Sequence, residues 1–133
     1  MKKIRVLILE DDLETLEKLF SVLRKIENER KFSFAVTVLS DYIETDTYVN
    51  KNPQIKYDIL LLDRDCFLGG SYHVINLDNF DKNKIISISS VPEYNADAQK
   101  LGVNKSILKE YSNLSKFCNK LKIELSNLIQ QPF

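Results

Sequence analysis

The stretch YDILLLDRDCFLGG, residues Tyr57–Gly70, decides the fold. Ile59, Leu60, Leu61 and Leu62 run without a polar break into Asp63, then Arg64 and Asp65. A short, unbroken apolar run is the pattern of a strand covered on both faces, as in a parallel sheet. A lone acid at the end of such a strand is ordinary. An acid there that meets other acids, a hydroxyl and a lysine can perform phosphoryl chemistry, so the remaining strand ends must be read with it.

Working outward, Ile4–Leu9 is a second apolar run, broken only by Arg5, and ends at Glu10, Asp11 and Asp12. A helix follows, with Leu13, Leu16, Phe20 and Leu23 at spacings of three and four and Leu19 and Ile26 beside them. Asp11 or Asp12 can cap it, because a carboxylate satisfies free N–H groups at a helix start; Asp12 is the better assigned to that role. Phe32–Leu39 alternates and suits a sheet edge with one wetter face. Ser40–Val49 reads as a weak helix, broken by Asn52-Pro53. After Gly69-Gly70, Tyr72–Phe80 reads as a short helix. Ile85–Ile88 is a third buried strand, Glu93–Leu101 a helix stopping at Gly102, and Val103–Leu108 a last strand. The final helix runs from about Asn113 to Gln130, with Leu114, Phe117, Leu121, Leu125 and Leu128 in register. Strand and helix thus alternate five times, which predicts an α/β fold: a doubly wound parallel sheet with helices on both faces. Its working site lies at the carboxyl ends of the strands, near a switch in strand order.

The bulk numbers narrow the function. The 133 residues suffice for one domain with one core. Nineteen basic residues balance nineteen acidic ones, which removes the bulk electrostatic argument for nucleic acid or an anionic membrane. No apolar run approaches the roughly 20 residues of a membrane helix, and MKKIRVLILEDD turns acidic too soon for a secretory signal. Cys66 and Cys118 read as free thiols in a reducing cytoplasm, and His73 as a surface or loop residue.

The strand ends then assemble one set of groups: Glu10, Asp11 and Asp12; Asp63 and Asp65; Ser89 and Ser90; and Lys109. Clustered carboxylates repel one another unless a cation joins them. Mg2+ binds through one or two carboxylates together with phosphate oxygens. With it, a carboxylate can act as nucleophile on a phosphoryl group while a lysine neutralises charge.

These motifs resemble the receiver domain of two-component response regulators over essentially the whole chain. IRVLILEDD resembles the receiver's first strand and acidic pocket, YDILLLDRD the strand bearing the phosphoacceptor, KIISISS the strand ending in the switch hydroxyl, and LGVNKSILKEY the stretch with the conserved-type lysine. The resemblance implies a flavodoxin-like five-stranded sheet of order 2-1-3-4-5 and a single receiver-like domain over residues 1–133 without an output domain. It makes Asp63 the phosphoacceptor, Glu10 and Asp11 the acidic pair for Mg2+, Asp65 a metal ligand through its backbone carbonyl, Ser89 the hydroxyl that moves to the phosphate, and Lys109 the partner of a phosphoryl oxygen. Lys105 competes for that last role, and motif spacing selects Lys109. A histidine kinase or phosphotransfer protein would be the donor, and a downstream protein would dock on the Glu93–Gln130 face; neither nucleic acid nor membrane is implied.

The sequence also departs from the receiver pattern. Ser106 stands where receivers carry a switch aromatic, leaving Tyr94 or Tyr111 to substitute, and Glu110 follows Lys109 where a proline is usual. The acceptor loop, RDCFLGGSYH, is atypical, and Cys66 within it reads as a small buried residue rather than a redox sensor. These departures keep open a pseudo-receiver, the same fold serving as a phosphorylation-independent interaction module. A third reading starts from LLLDRDCF, which resembles the Asp-x-Asp nucleophile of haloacid-dehalogenase phosphatases. That family needs a further acidic pair after its lysine. Only Glu110 and Glu124 follow Lys109, so an enzyme of this type is not expected.

Overall fold

The computed structural model describes residues 2–30, 32–63 and 75–130. The expectations for Asp65, Cys66, Gly69, Gly70, Tyr72 and His73 lie outside these residues. Five strands form one parallel sheet: β1 (Lys2–Leu9), β2 (Phe32–Leu39), β3 (Ile59–Asp63), β4 (Ile85–Ser89) and β5 (Lys105–Leu108), in the order β2-β1-β3-β4-β5. The apolar runs of β1, β3 and β4 occupy the interior positions of the sheet, with a strand on either side. The alternating Phe32–Leu39 segment takes the edge, as its wetter face requires.

The sheet separates two cores by strand parity. Ile4, Val6 and Ile8 of β1 point to one face with Ile59, Leu61, Ile86, Ile88 and Ile107. There they meet α1 (Leu13–Glu29) and α4 (Leu114–Gln130). Leu7, Leu9, Leu60, Leu62 and Ile85 point to the other face, towards Val49 and Ala98. These belong to the segment that starts with α2 (Tyr42–Thr45) and to α3 (Pro92–Lys100). Alternate side chains of a strand face opposite ways, so covering both faces demands helices on both.

Several local expectations shift. In α1 the buried stripe is Leu16, Leu19, Val22, Leu23 and Ile26, while Leu13 and Phe20 are exposed at 80% and 44%. The 16–19–23–26 spacing of three, four and three residues faces the sheet, and Leu13 and Phe20 fall off that stripe. The weak helix at Ser40–Val49 is a single α-turn, α2, continued by a wider turn over Asp46–Asn50. Over the described part of the expected Tyr72–Phe80 helix, residues 75–80, no α-helix is formed. Residues 75–84 instead make short 3-10 turns at Leu77–Asn79 and Lys82–Lys84. Asn76 and Asp81 each accept from the backbone N–H two residues on, a bond that competes with helix.

α3 begins at Pro92, where the missing N–H is no loss. It ends at Lys100, and two residues on stands Gly102, whose φ of 94° is costly for any residue with a side chain. Gly102 N and Val103 N there close onto Gln99 O and Ala98 O. Val103 is buried but precedes β5. α4 follows the expected register, and Asn113 Oδ1 caps it by accepting from Lys116 N at 3.1 Å. Among the described residues, no helix is long and apolar enough to cross a membrane.

Candidate functional site

Strand parity carries the sheet's greasy face directly into the acidic pocket. Ile8, Leu61 and Ile107 all face the α1/α4 core; two residues further along each strand stand Glu10, Asp63 and Lys109. Their side chains therefore leave the sheet on one side, at its carboxyl end. Backbone pairing sets the depth. Asp63 is the last residue of β3, beside Ile88, and Lys109 N donates to Ser89 O at 2.8 Å, extending the β4–β5 ladder by one step.

All three side chains are buried, at 0% exposure for Glu10, 1% for Asp63 and 3% for Lys109. Lys109 Nζ donates to Glu10 Oε2 at 2.8 Å and to Asp63 Oδ2 at 3.0 Å. The other Glu10 oxygen accepts from the backbone N–H groups of Asp11 (3.1 Å) and Asp12 (3.0 Å). One lysine thus joins two carboxylates away from water. Burial would lower the Lys109 pKa, but the Asp63 and Glu10 charges more than offset it and hold the ammonium above its ordinary value. Burial, reinforced by the Asp63 charge, lifts Glu10 from 4.5 to about 7, although Lys109 and the Asp12 N–H pull the other way.

Asp11 is exposed, yet it offers a carboxylate oxygen close to those of Glu10 and Asp63, all within 4.8 Å of one another. Three hard oxygen donors facing one lysine leave excess negative charge, a donor set that suits Mg2+ or Mn2+. Asp12 is turned away as the cap of α1, accepting from Thr15 N at 3.0 Å and Thr15 Oγ1 at 2.6 Å. The Thr15 hydroxyl bond is the main reason its pKa falls below the ordinary carboxylate value.

The structure brings Glu10, Asp11, Asp63 and Lys109 together. Lys105 is elsewhere, at the start of β5, with its Nζ on Asn83 O at 3.0 Å. Ser89 is fully buried and sits at the end of β4, but its Oγ accepts from Val91 N at 3.1 Å, shaping the turn into α3. A hydroxyl that accepts one bond keeps a proton to donate. Ser106 is exposed on β5, and Tyr111 places its ring 5.4 Å from Lys109 Nζ, a cation–π arrangement. The Glu10 clasp by the two following N–H groups was missed in the sequence; its only signal is an acid opening a tight turn.

No family model matches the chain, and no curated protein matches it in sequence. Solved structures do. The phosphorylated cyanobacterial phytochrome response regulator RcpA aligns over 98% of this chain and 97% of its own, at 17% identity and a TM-score of 0.78. The Mn2+-bound form of response regulator Rcp1 covers the same shares, at 15% identity and a TM-score of 0.74. The fold is that of response regulator receivers. A receiver domain from Rhodospirillum rubrum shares this receiver fold over 96% of both chains, at 16% identity and a TM-score of 0.71.

Proposed function

We propose that this protein is a phosphoryl-accepting receiver, with Asp63 as the acceptor and Mg2+ as its metal. The observation that carries the reading is the buried bridge from Lys109 to both Glu10 and Asp63, with the Asp11 carboxylate alongside. An Asp63 oxygen attacks phosphorus of a phosphohistidine on a histidine kinase or phosphotransfer protein. The P–N bond breaks, the imidazole keeps the electron pair and is protonated by water, and Asp63 becomes an acyl phosphate. Lys109, already at hydrogen-bond distance from Asp63, pairs with a phosphoryl oxygen. Ser89 donates its hydroxyl proton to another. Glu10, Asp11, Asp63 and the backbone carbonyl of Asp65 would hold Mg2+, which supplies charge neutralisation. We assign no turnover beyond acceptance and loss of the phosphoryl group, and place the protein in the cytoplasm. Output to a downstream protein would pass through Glu93–Gln130, where Leu101, Tyr111 and Ile123 are exposed.

A second reading, the pseudo-receiver, is favoured by one observation: the position of the switch aromatic holds the exposed Ser106. Amide NMR of the labelled protein with Mg2+ and then beryllium fluoride, an unreactive phosphoryl mimic, separates the two. The receiver reading expects shifts around Asp11, Asp63, Ser89 and Lys109 that vanish in Asp63→Asn. Silence to both additions sinks it and leaves the interaction module.

A further inference from the structure

Arg5, the one interruption in the first apolar run, lies at the opposite end of the molecule's chemistry. It stands on β1 five residues before Glu10, which directly follows that strand, about 17 Å away at roughly 3.3 Å per residue. Lys3 and Arg5 share the sheet face of Leu7 and Leu9, yet both are exposed while those leucines are buried. The covering element explains the difference. The helical segment Tyr42–Asn50 spans only 9 residues, 4 in α2 and 5 in the turn after it, about 13 Å at helical rise. An eight-residue strand runs about 26 Å. The segment therefore buries Val49 over the carboxyl half of β1 and β2 and leaves the amino half bare.

What remains is a cavity of about 650 Å³, floored by Lys3, Arg5, Ala35 and Thr37 and walled by Tyr48, Ile55 and Tyr57. That volume lies inside the range of small-molecule sites. Its charge is one-sided: among the described residues two cations line it and no acid does. Asp58, just before β3, accepts from Arg5 N at its Oδ2 at 2.8 Å, and its own N–H donates to Arg5 O at 2.8 Å. No ion pair is formed by Lys3 or by the Arg5 guanidinium with a described residue. Ala35, paired directly with Arg5, leaves room above the sheet that a larger side chain would fill. Two phenol rings at the wall offer stacking surfaces, and Tyr48 is 53% exposed.

We propose that this cavity binds a nucleotide-sized aromatic anion, its phosphate held by Lys3 and Arg5 and its base against Tyr48 and Tyr57. A guanidinium fork and an ammonium two residues apart on one strand face match the several oxygens of a phosphate. Aromatic faces beside them match a planar base. The site is independent of phosphorylation at Asp63.

The test is amide NMR of the full labelled chain with AMP, GMP, CMP and UMP at millimolar concentrations, with adenosine and inorganic phosphate as the two halves of the ligand. At least one nucleotide should shift Lys3–Leu7, Ala35–Thr37, Tyr48, Ile55 and Tyr57, and bind more tightly than either half. Arg5→Gln should weaken it about ten-fold or more, the scale of one charge-assisted bond. Ala35→Leu, which keeps the charge and fills the space, should abolish it, and Asp63→Asn should leave it intact. No shift with any nucleotide, equal binding of inorganic phosphate alone, or unchanged binding in a folded Ala35→Leu variant would each overturn the assignment.

Discussion

Replacing Lys109 by methionine keeps the side chain's length and removes its charge. Glu10 and Asp63, at 0% and 1% exposure, then face each other without their shared cation. Stripping one partner from a buried ion pair costs about 3–5 kcal/mol, because the remaining charge is left without solvent or counter-ion. The protein has one escape, which is to protonate a carboxyl. For a group that titrates near 4.5 in the unfolded chain, that costs about 1.4 kcal/mol per pH unit above 4.5. The escape therefore costs about 5 kcal/mol at pH 8 and only about 1.4 kcal/mol at pH 5.5. The smaller of the two costs governs. Urea unfolding in the presence of a chelator should show a loss of about 3 kcal/mol at pH 8 that shrinks towards 1 kcal/mol at pH 5.5. The sign follows from linkage: a carboxyl whose folded pKa is raised destabilises the fold above its unfolded value and ceases to do so as it protonates. Adding Glu10→Gln to Lys109→Met should recover about half of the loss at pH 8, since one of two buried charges is gone. An equal loss at both pH values, or no recovery in the double variant, would refute the account of the clasp.

Three further outcomes are expected. Because Glu10 titrates at about 7 and must be ionised to hold a cation, the apparent Mg2+ affinity by calorimetry should fall about ten-fold between pH 8 and pH 6; a flat profile contradicts this. Asp12→Ala removes the cap of α1 and should cost about 1 kcal/mol by thermal or urea unfolding at neutral pH. The Asp12 pKa is depressed, so its contribution persists above the ordinary carboxylate value, and the two proteins should converge only as pH falls through its lowered folded value. Ser87→Ala leaves Asn95 Oδ1 without its 2.7 Å partner in the core under α3 and should cost about 1–3 kcal/mol; pairing it with Asn95→Leu should recover most of this, and failure to do so would make the bond incidental.

Much of this was legible along the chain because it is local. Apolar runs, the Asp12 cap and the glycine closing α3 act over a few residues; that Pro92 opens α3 was not read from the sequence, which starts that helix at Glu93. The same reading failed where local signals compete. Leu13 and Phe20 belong to a plausible helical stripe, and only the sheet's position selects Leu16, Leu19 and Ile26 instead. Apolar spacing suggests a helix over Tyr72–Phe80, but in the described residues 75–84 Asn76 and Asp81 bond the backbone two residues on and hold short turns instead.

Strand parity was determined by sequence alone: Glu10, Asp63 and Lys109 each continue an alternation that begins two residues earlier in the core. Their meeting was decided by tertiary structure, since the Lys109–Glu10 bond joins residues 99 apart and depends on β3 lying between β1 and β4. The same division holds at the other end of β1. The presence of Arg5 in an apolar run is a fact of sequence. That it faces an open cavity, rather than a helix, follows from a covering segment shorter than the strand beneath it, a length comparison that exists only once the two are packed together.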